Sequence, residues 1–127
     1  VVAEIIPKRS WYDYQAKYFA GMSEVRIPAP LPPTLAEAVR AQAIRAYRAI
    51  DCAGMARVDF FLERASQTLY VNEINTIPGF TATSVYPKLW EASGVKYPDL
   101  LDRLIRLALE RHRERRRLLT THQRVDR

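Results

Sequence analysis

Residues 56–84 read Ala56-Arg57-Val58-Asp59-Phe60-Phe61-Leu62, then Glu63-Arg64-Ala65-Ser66-Gln67-Thr68, then Leu69-Tyr70-Val71-Asn72-Glu73-Ile74-Asn75-Thr76-Ile77-Pro78-Gly79-Phe80-Thr81-Ala82-Thr83-Ser84. Two runs rich in Val, Phe, Tyr and Ile flank a polar connection, which is the pattern of a β-hairpin. Strand side chains alternate between faces. Arg57, Asp59 and Phe61 therefore share one face of the first strand, and Val58, Phe60 and Leu62 the other. On the second strand Val71, Glu73 and Asn75 share a face, opposite Tyr70, Asn72 and Ile74. A turn centred near Ala65 and Ser66 sets Asp59 roughly across from Glu73. Two carboxylates, a carboxamide and a guanidinium then gather on one patch.

Carboxylates that face one another across strands repel, so this pattern asks for a compensating cation. Arg57 is one candidate and a bound metal is the other. The ligands on offer (Asp59, Glu73 and Asn75) are all oxygen donors, with no His or Cys close by in sequence. Such a set suits a hard cation, Mg²⁺ or Mn²⁺, rather than zinc. Mg²⁺ is commonly held by one or two carboxylates together with substrate phosphates, so a metal here implies a nucleotide. The same spacing equally describes a solvated hairpin face with ordinary surface charges.

The chain has 127 residues, 48% of them hydrophobic, which corresponds to one domain at most with a real core. No run of about 18 apolar residues marks a membrane span. The start, Val1-Val2-Ala3-Glu4-Ile5-Ile6, has no signal-peptide pattern and reads as a strand of the main sheet entered part-way, as in a fragment or processed piece. The single cysteine, Cys52, can form no internal disulfide, which fits a reducing, cytoplasmic setting. The net charge of +6 is concentrated at one end: residues 111–127 hold seven Arg against Glu114 and Asp126. Residues 1–110 hold thirteen Lys or Arg against twelve acids, a balance of +1. The high pI is thus a property of the tail.

In chain order, Pro7 to Gly21 is a long connection crowded with Trp11, Tyr12, Asp13, Tyr14, Gln15, Lys17, Tyr18 and Phe19. Loops of this length are commonly lids or binding loops, although a helical turn packing its aromatics is the alternative. Ile27 to Pro33 carries four prolines and reads as an extended connector. Thr34 is the expected N-cap, with Glu37 at the capping-box position, of a helix that covers the sheet and stops at Gly54. Pro78-Gly79 marks a tight turn in which Gly79 is free to take a positive φ. Its N–H can also approach a ligand unhindered. Ser84 is either the N-cap of a helix over Val85 to Ser93 or part of an anion site there. Pro98 and Asp99 open a longer helix. Its stripe of Leu101, Leu104, Ile105, Ala108 and Leu109 reads as a packing face. His112 and His122 have no companion ligands and read as solvated.

The strings WYDYQAKY, ARVDFFL and VNEINTIPGFTATSVYPKLWEASG resemble the C-terminal part of the D-alanine–D-alanine ligases, which are ATP-grasp enzymes. The likeness runs from about Val1 to Arg111 with the spacing intact. It implies an α+β fold: a C-terminal ATP-grasp subdomain, mainly antiparallel sheet with covering helices and a long active-site loop. Residues 1–110 would be the ligase portion and 111–127 a basic helix end and tail. It also implies the chemistry: ATP phosphorylates one D-alanine to an acyl phosphate, and the amine of a second attacks it, for peptidoglycan synthesis. The implied ligands of two Mg²⁺ or Mn²⁺ ions are Asp59, Glu73 and Asn75, with Glu73 between them and touching the ATP phosphates. Arg57 and the Gly79 N–H would stabilise the reacting oxygen. Ser84 would hold the carboxylate of the second D-alanine, with Val85 lining that pocket. Lys17 would meet the γ-phosphate as the loop shuts, and Tyr18 would support the D-alanine pocket. A tyrosine at that place favours the dipeptide product over a D-lactate ester. Gln15 departs mildly from the Glu usual there. The implied partners are ATP, D-alanine, the N-terminal and central domains of the same enzyme, and a second copy in a full-length homodimer.

Two rival readings remain. One keeps the chemistry and changes the second substrate to D-lactate, D-serine or another amine. The other is a nucleic-acid-binding module built on the Arg-rich end. No recognised nucleic-acid motif supports it, and the aromatics lie far from the arginines in sequence.

Overall fold

The computed structural model describes residues 1–7, 23–81 and 83–117. In chain order the elements are β1 (Glu4–Pro7), β2 (Ser23–Arg26), α1 (Pro33–Ala49), β3 (Arg57–Leu62), β4 (Leu69–Asn75), α2 (Val85–Ala92) and α3 (Tyr97–Arg117). The fold is α+β, as expected. The sheet differs in one respect. β1 pairs only with β2, while β3 pairs only with β4, giving two separate antiparallel pairs among the described residues. The strand read at the start of the chain therefore belongs to its own two-stranded sheet, and β2 had no periodic signal strong enough to announce it.

Helix α1 packs on β3 and β4 with Val39 buried. It begins one residue before the expected cap, at Pro33, so Thr34 lies inside the first turn and no side chain caps the N-terminus. Proline at the first helical position needs no N–H partner there and already has a helical φ. Glu37 is not turned back to a cap but bonded to Arg40. At the other end the stop comes earlier than Gly54. Asp51 takes φ 48°, its N–H bonds Arg48 O at 3.1 Å, and Cys52 N–H bonds Tyr47 O at 3.1 Å. Those two bonds form a Schellman cap with Asp51 in the left-handed position usually held by Gly or Asn. Gly54, also left-handed at φ 77°, accepts a bond from the Tyr47 hydroxyl and turns the chain into β3.

Helices α2 and α3 pack on each other and bury Tyr86, Pro87 and Leu100. Gly94 closes the short helix at φ 86°. Asp99 sits in the first turn of α3 as expected. The stripe on α3 is a correction to the sequence reading. Leu101, Ile105 and Leu109 are exposed, and only the neighbouring Leu100, 3% accessible, is enclosed. The helix runs continuously past residue 110, and Arg111 reaches Asp51 at 3.1 Å, which ties α3 to the end of α1. His112 is exposed. Among the described residues no helix is long and apolar enough to cross a membrane.

Candidate functional site

The β3–β4 hairpin is closed by Glu63 N–H bonding Thr68 O at 2.9 Å, with Gln67 at φ 57° completing the bend. Near the turn the pairs are Leu62↔Leu69, Phe61↔Tyr70 and Phe60↔Val71. The register then slips by one, and the pairs become Asp59↔Glu73, Val58↔Ile74 and Arg57↔Asn75. Asn72 is the extra residue of a β-bulge, opposed by no partner of its own. Beyond the bulge, Glu73 and Asn75 fall on the same side as Asp59 and Arg57. Before it, Phe61 and Tyr70 occupy that side, 62% and 54% exposed, and Val71 moves to the opposite one, across from Phe60. The sequence reading placed Val71 beside Glu73; the bulge separates them.

Arg57 binds the acidic pair asymmetrically. Its Nε donates to Asp59 Oδ1 at 2.8 Å and its Nη2 to Asp59 Oδ2 at 2.9 Å, a forked contact using both carboxylate oxygens. The same Nη2 lies 3.9 Å from Glu73 Oε1. The side chains of Arg57 and Asp59 are only 24% and 23% accessible, so the pair is shielded more than a surface ion pair. Asn75 Oδ1 accepts a bond from Ile77 N–H at 3.1 Å. That contact bends the chain at Thr76 and Ile77, so the change of direction comes before Pro78-Gly79, where the sequence reading put it.

Among the described residues no three His, Cys, Asp or Glu side chains form a metal cluster. What the hairpin offers is two opposed carboxylates and an amide oxygen on one face. This donor set fits a hard divalent cation whose remaining positions are filled by phosphate oxygens and water.

The segment after β4 is held by hydroxyls. Ser84 stands at the N-cap position of α2 but makes no cap bond. Its Oγ instead accepts from Thr81 N–H at 3.0 Å and lies 2.8 Å from Thr81 Oγ1, which also approaches Thr83 Oγ1 at 3.2 Å. Gly79 does not have the positive φ expected of it; among the described glycines only Gly54 and Gly94 do. Its requirement is steric, since a Cβ there would lie 2.9 Å from Ser84 Oγ. Phe80 anchors the segment, its ring 5.6 Å from Tyr86 and 5.5 Å from Tyr97, and Tyr86 stacks edge-on to Trp90 at 6.3 Å. Burial pushes the Tyr86 phenol above its usual range, an effect that the neighbouring Trp90 partly opposes.

A groove of about 520 Å³ opens between β1, α1 and β3, lined by Val2, Ile5, Val39, Ala43, Phe60 and Leu62. Arg57, Asp59 and Val85 border it, whereas Glu73, Asn75, Gly79 and Ser84 do not. Lys17 and Tyr18 lie outside the described residues. Sequence reasoning missed the bulge at Asn72, the Thr81 hydroxyl and the aromatic anchor at Phe80. The close spacing of Thr81, Thr83 and Ser84 was the signal available for the second of these.

A family model described as D-ala D-ala ligase C-terminus matches residues 1–106. A D-alanine–D-alanine ligase of Thermoanaerobacter sp. is 58% identical over 116 residues, 91% of this chain and 32% of that protein. The solved D-alanine–D-alanine ligase of Coxiella burnetii superposes with a TM-score of 0.72 at 46% identity, over 75% of this chain and 27% of that one. The enzyme of Bacillus anthracis complexed with ATP gives a TM-score of 0.71 at 34% identity, over 89% and 36%. The chain spans about a third of the length of the curated relatives it matches.

Proposed function

Since the chain belongs to the D-ala D-ala ligase C-terminus family, we propose that it is the C-terminal catalytic portion of an ATP-dependent D-alanine–D-alanine ligase. The observation that carries this reading is the acidic patch: Asp59 and Glu73 opposed across β3 and β4, with Arg57 between them. When bound, Mg²⁺ or Mn²⁺ at Asp59, Glu73 and Asn75 would neutralise charge on the ATP phosphates. The chain's own work is positioning. Arg57, fixed on a strand and shielded from water, offers its guanidinium to the developing negative charge on the reacting carboxylate oxygen. The Gly79 N–H lies on the segment braced by Ser84 and Thr81, and is a second donor for that charge. Ser84, at the N-terminus of α2, is placed where an anionic group is favoured, and with Val85 would receive the carboxylate of the second D-alanine. Lys17 and Tyr18 take the γ-phosphate and the D-alanine pocket in this proposal. The remaining domains, a homodimeric full-length form, a cytoplasmic location and the peptidoglycan product belong to the same proposal.

The test is a chimera in which this chain replaces the corresponding part of a curated relative. It should form D-alanyl-D-alanine with ATP and leave D-lactate unused. Asp59→Asn and Glu73→Gln should each lower kcat by at least about 100-fold. The chain alone, given ATP and D-alanine, should release no phosphate above background. A folded chimera that binds ATP and makes no dipeptide would overturn the reading.

A further inference from the structure

We propose that Arg57 is an exchangeable counter-ion: it holds the acidic patch until a divalent cation takes Asp59, and the cation thereby frees the guanidinium for the substrate. This rests on the reading of Asp59 and Glu73 as cation ligands. Three observations carry it. The Arg57 fork engages both oxygens of Asp59, at 2.8 and 2.9 Å, so no oxygen of that carboxylate is without a cationic partner. The same guanidinium leans toward the second carboxylate, 3.9 Å from Glu73 Oε1. Its register partner across the hairpin is Asn75, so Arg57 is flanked by all three oxygen donors.

A divalent ion and a guanidinium drawn to the same two oxygens repel one another, and the repulsion is weakly screened where both side chains are three-quarters covered. The cation therefore competes with Arg57. Asp59 lies two positions along the same strand from Arg57, so leaving it requires no separation of strands. Arginine binds planar carboxylates and phosphates in the same forked geometry it loses at Asp59. A substrate oxyanion is thus the natural next partner. Loading of the cation and arming of Arg57 become one event.

The decisive measurement is Mn²⁺ binding to the full chain by electron paramagnetic resonance, for the wild type, Arg57→Gln, Arg57→Lys and Asp59→Asn. Removing a competitor should tighten Mn²⁺ binding to Arg57→Gln by about tenfold, within the usual range of coupling between two ligands. Arg57→Lys, which keeps the charge and loses the fork, should lie between it and the wild type. An arginine that merely orients Asp59 would give the opposite sign. In parallel, the Arg57 Nε–H resonance should shift on Mg²⁺ addition to the wild type and stay fixed in Asp59→Asn. Equal or weaker Mn²⁺ binding by Arg57→Gln, with its circular dichroism intact, overturns the proposal. If that variant fails to fold, Arg57→Lys decides by the same sign. Mn²⁺ binding that is indifferent to Asp59→Asn overturns the reading of the site and this inference with it.

Discussion

Replacing Gly79 by alanine should destabilise the protein, yet the same replacement should become harmless or helpful once Ser84 has also been changed to alanine. The new Cβ would sit 2.9 Å from Ser84 Oγ, closer than such atoms approach, and 3.6 Å from Ser84 Cβ, an ordinary contact. Ser84 must rotate away, and its bonds to Thr81 N–H and Thr81 Oγ1, at 3.0 and 2.8 Å, are lost. At about 1 kcal/mol for each exposed bond, the loss is about 2 kcal/mol. Because the φ of Gly79 is not left-handed, alanine also restricts the unfolded chain and gives back about 0.4–1 kcal/mol. The net change is a destabilisation of about 1–1.5 kcal/mol. In the Ser84→Ala background the bonds are already gone and the close oxygen is absent, so only the unfolded-state term remains. There Gly79→Ala should stabilise by up to about 1 kcal/mol. Urea unfolding followed by circular dichroism measures both. With a slope of about 2 kcal/mol/M, the single variant should lose about 0.5–0.7 M in midpoint, and the double variant should lie at or above Ser84→Ala. Additivity within about 0.5 kcal/mol would refute the steric account.

Truncating Leu100, 3% accessible, to alanine should cost about 2–5 kcal/mol. Truncating Ile105, 59% accessible on the same helix, should cost about 0.5 kcal/mol or less, as the same urea series would read. The raised Tyr86 phenol holds its proton more tightly folded than unfolded, so stability is complete below the ordinary tyrosine value of about 10 and falls as pH rises through the folded value. Unfolding midpoints taken between pH 8 and 11 should show that fall, and Tyr86→Phe should reduce it. At the cap of α1, Asp51→Gly should keep stability within about 0.5 kcal/mol, because glycine accepts the φ of 48° freely and the exposed pair with Arg111 contributes little. Asp51→Val, β-branched at a left-handed position, should lower the thermal midpoint clearly.

The elements most legible in the sequence were those written by periodicity. The hairpin, the helix over Pro33–Ala49 and the helix over Tyr97–Arg117 each carry a repeat that marks their local structure, whereas the short helix after Ser84 was legible from the residues at its ends. What escaped was set by contacts between distant or competing groups. Thr34 looks like a cap, but Pro33 was already an acceptable first helical residue and needed none. Gly79 reads as a turn glycine until the Ser84 hydroxyl is seen beside it. The apolar stripe of α3 predicts a covering surface, but periodicity states only that a face is apolar and not that this chain supplies its cover. The pairing of Asp59 with Glu73 was legible in outline, and the grip of Arg57 was one of two alternatives that residue types alone left open.

The unopposed Asn72 has a consequence for how this hairpin tolerates change. A strand written two residues to the repeat has a reading frame, and one additional letter inverts everything downstream of it. With the turn as it stands and every residue paired, Asp59 would face Asn72, while Glu73 and Asn75 would look into the apolar side between Val58 and the helix above it. Deleting Asn72 removes the kink and keeps the frame, so the acids still meet. Keeping Asn72 while ironing the strand flat puts them back to back. The chemistry of the patch thus hangs on the bulge while Asn72 is present, not on the Asn72 side chain itself.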